Sequence, residues 1–190
     1  MIKLPFKPSN FRHSNTGYTL VEMIVVIVIV GILAATAVPG WLSFANSRRA
    51  NTGRDEVLQT LRQAQARASR TRTRQIVIFD PAANPPTLTT GNPDNTADRL
   101  SIQMGQGSFA PGMVGMQITN TNAVPSECNG NRNCVAFGAD GSIRNLDDNT
   151  NTNPITISVF APRDNSNNKR CVIVRSLLGA MQTANGNTCP

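Results

Sequence analysis

Residues Gly17-Tyr18-Thr19-Leu20-Val21-Glu22 lead straight into the apolar run Met23–Val38. A lone carboxylate, Glu22, therefore sits at the mouth of a membrane-length segment. An ionised carboxylate in lipid costs several kcal/mol unless it finds a partner, so Glu22 is a candidate functional residue. The chemistry open to it is charge pairing. The rival reading is an interfacial acid that snorkels to water and has no role.

Cysteines and carboxylates offer the remaining chemistry. Cys128, Cys134, Cys171 and Cys189 all lie beyond the apolar run, and an even count outside the cytoplasm points to two disulfides. Of the three connectivities that can be drawn, we favour Cys128–Cys134, closing a short Gly/Asn loop, and Cys171–Cys189, stapling the C-terminal tail. Zinc is the alternative, but no Cys-x-x-Cys pair is present and the single histidine, His13, precedes the apolar run. No metal or other cofactor is expected. Without a histidine beyond that run, the commonest base for nucleophilic catalysis is missing, and no phosphate-binding Gly-rich loop opens a helix. Asp94, Asp98, Asp147 and Asp148 stand in turn-rich contexts and lack the twelve-residue calcium-loop pattern. The chain reads as a non-enzyme.

The elements that would position these residues follow from charge and periodicity. Residues 1–17 carry Lys3, Lys7 and Arg12 and no acid, which holds that end in the cytoplasm and sends later residues outward. Residues 18–42 would cover about 37 Å as a helix, enough to cross a hydrocarbon core of about 30 Å. An ordinary secretory signal is the competing reading, since Ala35-Thr36-Ala37 resembles a signal-peptidase site, but such a signal has no use for Glu22. Pro39-Gly40 is expected to kink the helix. Residues 43–74 then read as an amphipathic continuation, with Val57, Leu61, Ala64 and Ala68 on one stripe, Leu58 beside it, and arginines opposite.

Residues 75–190 form the expected β-rich head, and 5% aromatic content with abundant Asn, Thr and Gly suits one modest, turn-rich core. Strands are expected at Gln75–Phe79, Leu100–Met104, Met113–Thr119, Cys134–Phe137, Ser142–Arg144, Ile155–Phe160, Cys171–Ser176 and Leu177–Thr183. Gly138–Gly141 reads as a hairpin turn, and Ala82–Asp98 and Asp147–Asn153 as polar loops. The fold class is α+β: a long N-terminal helix followed by antiparallel strands.

The Gly-Tyr-Thr-Leu-Val-Glu string before its apolar run resembles the processing site of type IV prepilins and type II secretion pseudopilins. Later stretches, Val135–Ser142, Ile155–Ile157 and Cys171–Gly179, look like the heads of minor subunits of the FimU/FimT/GspH type, whose two small antiparallel sheets lie on the helix. The resemblance implies cleavage by a prepilin peptidase between Gly17 and Tyr18 and N-methylation of Tyr18, which stands where most members have Phe. It also implies pairing of Glu22 with the N-terminal ammonium of a neighbouring subunit, and a proline at Pro39. The implied life history runs from a single-pass inner-membrane protein, head in the periplasm, to a filament at the cell surface. Other minor pilins and the major pilin are the implied partners.

Among such minor subunits, FimU-like ones help start assembly at or near the filament tip. H-type pseudopilins do so for type II secretion. FimT-like ones bind double-stranded DNA for natural transformation, through arginines near the C-terminus; the matching stretch here, Gly179-Ala180-Met181-Gln182-Thr183, has none. The net charge of +7 keeps DNA in view. Arg67, Arg70 and Arg74 would share a helical face with Arg62 near it, and Arg163, Lys169 and Arg170 would form a second basic cluster. The sequence favours the FimU-like reading, with the DNA-binding pilin and the secretion pseudopilin as alternatives.

Overall fold

A computed structural model describes residues 17–119, 124–145, 154–165 and 168–190, without the side chains at 38 and 39. The leader's Lys3, Lys7, Arg12 and His13, the side chain of Pro39, and Asp147 and Asp148 lie outside the described residues. Among the described residues one α-helix, α1 (Leu20–Thr71), is followed by eight strands. The chain divides into two compact units, Met1–Trp41 and Leu42–Pro190.

In the first unit the described part is helix. Thr19 caps its start: the Glu22 amide donates to Thr19 Oγ1 at 3.2 Å, and the Met23 amide to the Thr19 carbonyl at 3.2 Å. The apolar side chains that follow are largely exposed among the described residues: Leu20 is 76% exposed, Ile27 67% and Leu33 62%. The one helical hydroxyl there, on Thr36, donates back to the Leu33 carbonyl at 3.0 Å, so it needs no water.

The second unit packs the rest of α1 on two antiparallel sheets. One holds β1 (Gln75–Asp80), β2 (Thr87–Gly91), β3 (Leu100–Gln103) and β5 (Cys134–Phe137), in the order β3-β2-β1-β5. The other holds β4 (Gly115–Thr119), β6 (Ile155–Phe160), β7 (Lys169–Val174) and β8 (Met181–Asn185), in the order β4-β6-β7-β8. Val57, Leu61, Ala64 and Ala68 are all buried, as the stripe requires, against Val77, Phe79 and Leu88 of the first sheet and Ile157, Val159 and Val172 of the second. Alternation on β1 sends Val77 and Phe79 inward and Ile76 and Ile78 to a satellite cluster with Cys128, Cys134 and Ala136. Disulfides join Cys128 to Cys134 and Cys171 to Cys189, with Cα atoms 5.8 and 5.9 Å apart. Gln65 ties α1 to two turns at once, its Nε2 donating to the carbonyls of Gly141 (3.1 Å) and Leu178 (2.9 Å).

Several expectations need correcting. Ala82–Asp98 is not all loop, because Thr87–Gly91 forms β2; its threonines are β-branched and only Leu88 turns fully inward, which hides the strand in a polar sequence. Ser142–Arg144 is not a strand but one isolated bridge, Phe137 to Ile143. There the buried side chain of Asn145 takes the strand's place, accepting from the Ala136 amide and donating to the Cys134 carbonyl, both at 2.8 Å. Met113–Thr119 shortens to β4, Leu100–Met104 to β3, and the last two strands shift to β7 and β8. The helix stops at Thr71 because Arg72 turns left-handed, with φ 55°.

Gly53 lies where α1 meets the sheets. A Cβ there would come within 2.8 Å of Val159 Cγ1 and 3.0 Å of Met104 Sδ. Gly53→Val is therefore expected to lower the stability of the Leu42–Pro190 unit by about 1–3 kcal/mol through overpacking, measured by urea unfolding. Equal midpoints for variant and parent would show that the contact yields freely.

Candidate functional site

Gly17 to Glu22 form the start of α1 and its approach. Tyr18 is 78% exposed, and a Cβ on Gly17 would meet nothing among the described residues. The fold itself thus imposes no steric need for glycine at position 17. Thr19 and Glu22 also have Ser/Thr-x-x-Glu capping spacing, a local signal that the reading of Glu22 as an assembly charge passes over. Glu22 sits in the first helical turn, where the positive end of the helix dipole favours a carboxylate. The window behind it, with mean hydropathy 2.8, is long and apolar enough to cross a membrane.

Residues 12–38 match the prokaryotic N-terminal methylation motif. A 36-residue stretch is 47% identical to the type IV major pilin protein PilA of Myxococcus xanthus (strain DK1622), covering 19% of this chain but 16% of that protein. The fold is similar to that of the type IV minor pilin FimU of Pseudomonas aeruginosa PAO1 in its crystal structure. The TM-score is 0.52 at 12% identity, over 77% of this chain and 96% of that one. At that identity the likeness concerns the fold alone, and it joins the motif to a pilin-like helix and two-sheet head. The chain thus carries an N-terminal methylation motif at residues 12–38 and a fold similar to that of a type IV minor pilin. A weaker likeness is to the minor pseudopilin EpsH of the type 2 secretion system of Vibrio cholerae, with TM-score 0.46, 13% identity, and 72% and 97% of the two chains covered.

The basic residues of this pilin-like head separate. Arg67 and Arg70 lie exposed on α1 with Arg62, but Arg74 is beyond the helix end and does not share their face. Instead Arg74 clasps two loops, with Nη2 2.8 Å from Asp94 Oδ2 and Nη1 3.6 Å from Glu127 Oε1. Arg163, Lys169 and Arg170 do not act as one patch either. Arg163 donates to the carbonyls of Ala83 (2.7 Å), Pro81 (3.0 Å) and Ala82 (3.2 Å), while Arg170 Nε donates to Asn51 of α1 at 3.0 Å. Lys169 opens β7 opposite Phe160. Three of the arginines proposed for DNA, Arg74, Arg163 and Arg170, thus hold loops and helix in place. Composition counts them as charge and cannot show how they are used.

The carboxylates of the head are tuned locally. The backbone amide of Glu127 itself, helped by Ser126 and by Arg74 and Arg144, holds the Glu127 carboxyl below its usual range. The Ser142 hydroxyl and amide do the same for Asp140, which organises the Gly138–Gly141 turn. Glu56 goes the other way. It lies half-buried on α1, burial pushes its pKa above the ordinary 4.5, and the Gly105 amide, donating to Oε2 at 2.7 Å, offsets part of that. Its other oxygen, Oε1, is buried with no partner among the described residues.

A carboxyl whose pKa rises on folding binds its proton more tightly in the folded state, so ionised Glu56 opposes folding above that pKa. Glu56→Gln keeps an acceptor for Gly105 and removes the charge. The variant is expected to be more stable than the parent at neutral pH, by less than about 1 kcal/mol for a partly solvated group. The gap should close as pH falls towards 4.5, as followed by unfolding of the Leu42–Pro190 unit across pH. A gap that widens on acidification would reverse the assignment.

Proposed function

We propose that this protein is a FimU-like minor type IV pilin. A prepilin peptidase cuts it between Gly17 and Tyr18, and the new amine of Tyr18 is methylated. It waits in the inner membrane with its head in the periplasm, then enters a filament with the major pilin and other minor pilins, at or near the tip, where it helps start assembly. No enzymatic step of its own is involved. The observation that carries this reading is one acid on an exposed apolar helix: Glu22 is the only charged side chain from Tyr18 to Ser47. In such surroundings Glu22 gains most by meeting the Tyr18 ammonium of a neighbour, which rewards a single axial register. Pro39, inside the same helix, completes the pilin-type pattern. The type II secretion alternative shares each of these residues and differs only in the partners that receive them.

A narrower second reading, binding of double-stranded DNA, has one observation in its favour. Arg62, Arg67 and Arg70 are exposed on the final turns of α1, and their guanidinium groups make no hydrogen bond or ion pair among the described residues. A few phosphate contacts give weak, steeply salt-dependent binding.

Mass spectrometry of the mature N-terminus tests the processing steps. The parent is expected to begin at methylated Tyr18, and Gly17→Ala to retain the leader. Glu22→Val should still be cut yet fall below detection in sheared filaments. A mature chain beginning after Ala37, or surface filaments containing Glu22→Val at parental levels, would overturn the proposal. For the DNA reading, fluorescence anisotropy with a DNA duplex between about 50 and 200 mM salt is decisive. Binding at micromolar concentrations that disappears in the Arg62, Arg67 and Arg70 to Gln triple variant supports it, and binding unchanged by that variant rejects it.

A further inference from the structure

The outer face of the first sheet carries a groove of about 700 Å³ that the filament reading does not use. Its floor is the half-buried Ile78, with Ile76 buried beneath it at 1% exposure, the two side chains that alternation turns away from the main core. One wall is the disulfide-closed turn with Glu127, and the other is the loop with Asp94 and Arg99. Arg74 closes one end by pairing with both Asp94 and Glu127. The frame is therefore fixed by a covalent bond and an ionic clasp.

Arg99 stands apart in this groove. Its stem lies over Gly91, where a Cβ would come within 2.8 Å of both Arg99 Cα and Cγ. Its Nη2 donates to the Pro93 carbonyl at 3.0 Å. Its Nε is buried without an acceptor, and no carboxylate pairs with it among the described residues. A half-buried guanidinium with donors to spare is suited to a planar two-oxygen acceptor. Asp94 and Glu127 cannot serve, being held by Arg74.

The lining also says what kind of anion fits. Arg74 and Arg99 are balanced by Asp94 and Glu127, so the groove as a whole is near neutral and offers no field to gather a polyanion such as nucleic acid. A single carboxylate with apolar neighbours matches both the uncompensated Arg99 and the isoleucine floor. The volume is in the range that takes a short peptide or small ligand.

We propose that this groove binds an extended segment of a partner polypeptide, seating an Asp or Glu carboxylate on Arg99 and an adjacent aliphatic side chain on Ile78. This docking site is separate from the N-terminal helix and does not depend on which filament the chain joins.

The test uses the full chain in detergent micelles with the capped tripeptide Ac-Val-Asp-Val-NH2, against Ac-Val-Asn-Val-NH2. Binding is read from isoleucine methyl and arginine Nε–H resonances. The Asp peptide is expected to shift Ile76, Ile78 and Arg99 saturably, with the Asn peptide at least about tenfold weaker, as loss of a charge-assisted hydrogen bond implies. Arg99→Gln should abolish the preference for Asp, while Arg67→Gln leaves it unchanged. Arg99→Lys keeps charge and stem and should bind with an intermediate loss, which separates the lost donor fork from any loss of fold. Equal affinity for the two peptides, no saturable shift, or an Arg99→Gln variant that still prefers Asp would overturn the proposal. So would a DNA duplex that saturates the same resonances more tightly than the Asp peptide.

Discussion

Everything in this chain depends on an apolar helix surface that stays exposed among the described residues. From Leu20 to Leu33 the aliphatic side chains remain largely exposed, and burying each would be worth about 1.5–3 kcal/mol. A helix satisfies its own backbone groups, so lipid and neighbouring helices are both acceptable covers. What neither tolerates is an unpaired charge. The surroundings that draw Met23–Val38 out of water are thus the same that penalise a Glu22 carboxylate without a partner. Thr19 adds a local reason for an acid at that position, since the N-terminal turn stabilises it electrostatically in every environment.

The head solves a different problem, joining one helix to two four-stranded sheets around a small core. Small residues at the crossing make this geometry feasible: Ala50, Gly53, Ala64 and Ala68 let strands approach where larger side chains would hold them off. Polar side chains then do the work that longer strands would do elsewhere. Asn145 completes the hydrogen bonding of β5, Arg163 gathers the carbonyls of residues 81–83, and Gln65 holds two turns against α1. Because turns and edges are secured one by one, the exposed loops can vary without disturbing the core.

This division explains what could be read from the sequence. Helix, stripe and N-terminal pattern are local: each depends on spacings of three or four residues, so Val57, Leu61, Ala64 and Ala68 announce their burial directly. Strands with strongly apolar inward faces, such as Ile155–Phe160, are equally legible. The threonine-rich β2 is not, because its inward face supplies Leu88 alone and its pairing with β1 and β3 is a tertiary fact. Asn145 is hidden for a related reason, since no local pattern distinguishes a side chain that replaces a strand from one that turns a loop.

The arginines show the limit most clearly. A basic composition invites a nucleic-acid partner, yet several guanidiniums in this head serve as multi-donor connectors. Arg54 pairs with Asp55 and reaches Asn185, Arg74 spans two loops, Arg163 binds three carbonyls and Arg170 reaches back to the helix. Five donors in a rigid fork allow one side chain to order several backbone segments, which a small core with few aromatic residues needs. Beyond those four, Arg62, Arg67 and Arg70 share an exposed helical face, and Arg99 stands in its groove. The two places ask for different acceptors. An open face with Arg62, Arg67 and Arg70 suits spaced phosphates, whereas a half-enclosed guanidinium above an isoleucine floor suits one carboxylate carried by an apolar chain. Surrounding shape and polarity, more than the number of positive charges, decide which anion each arginine can take.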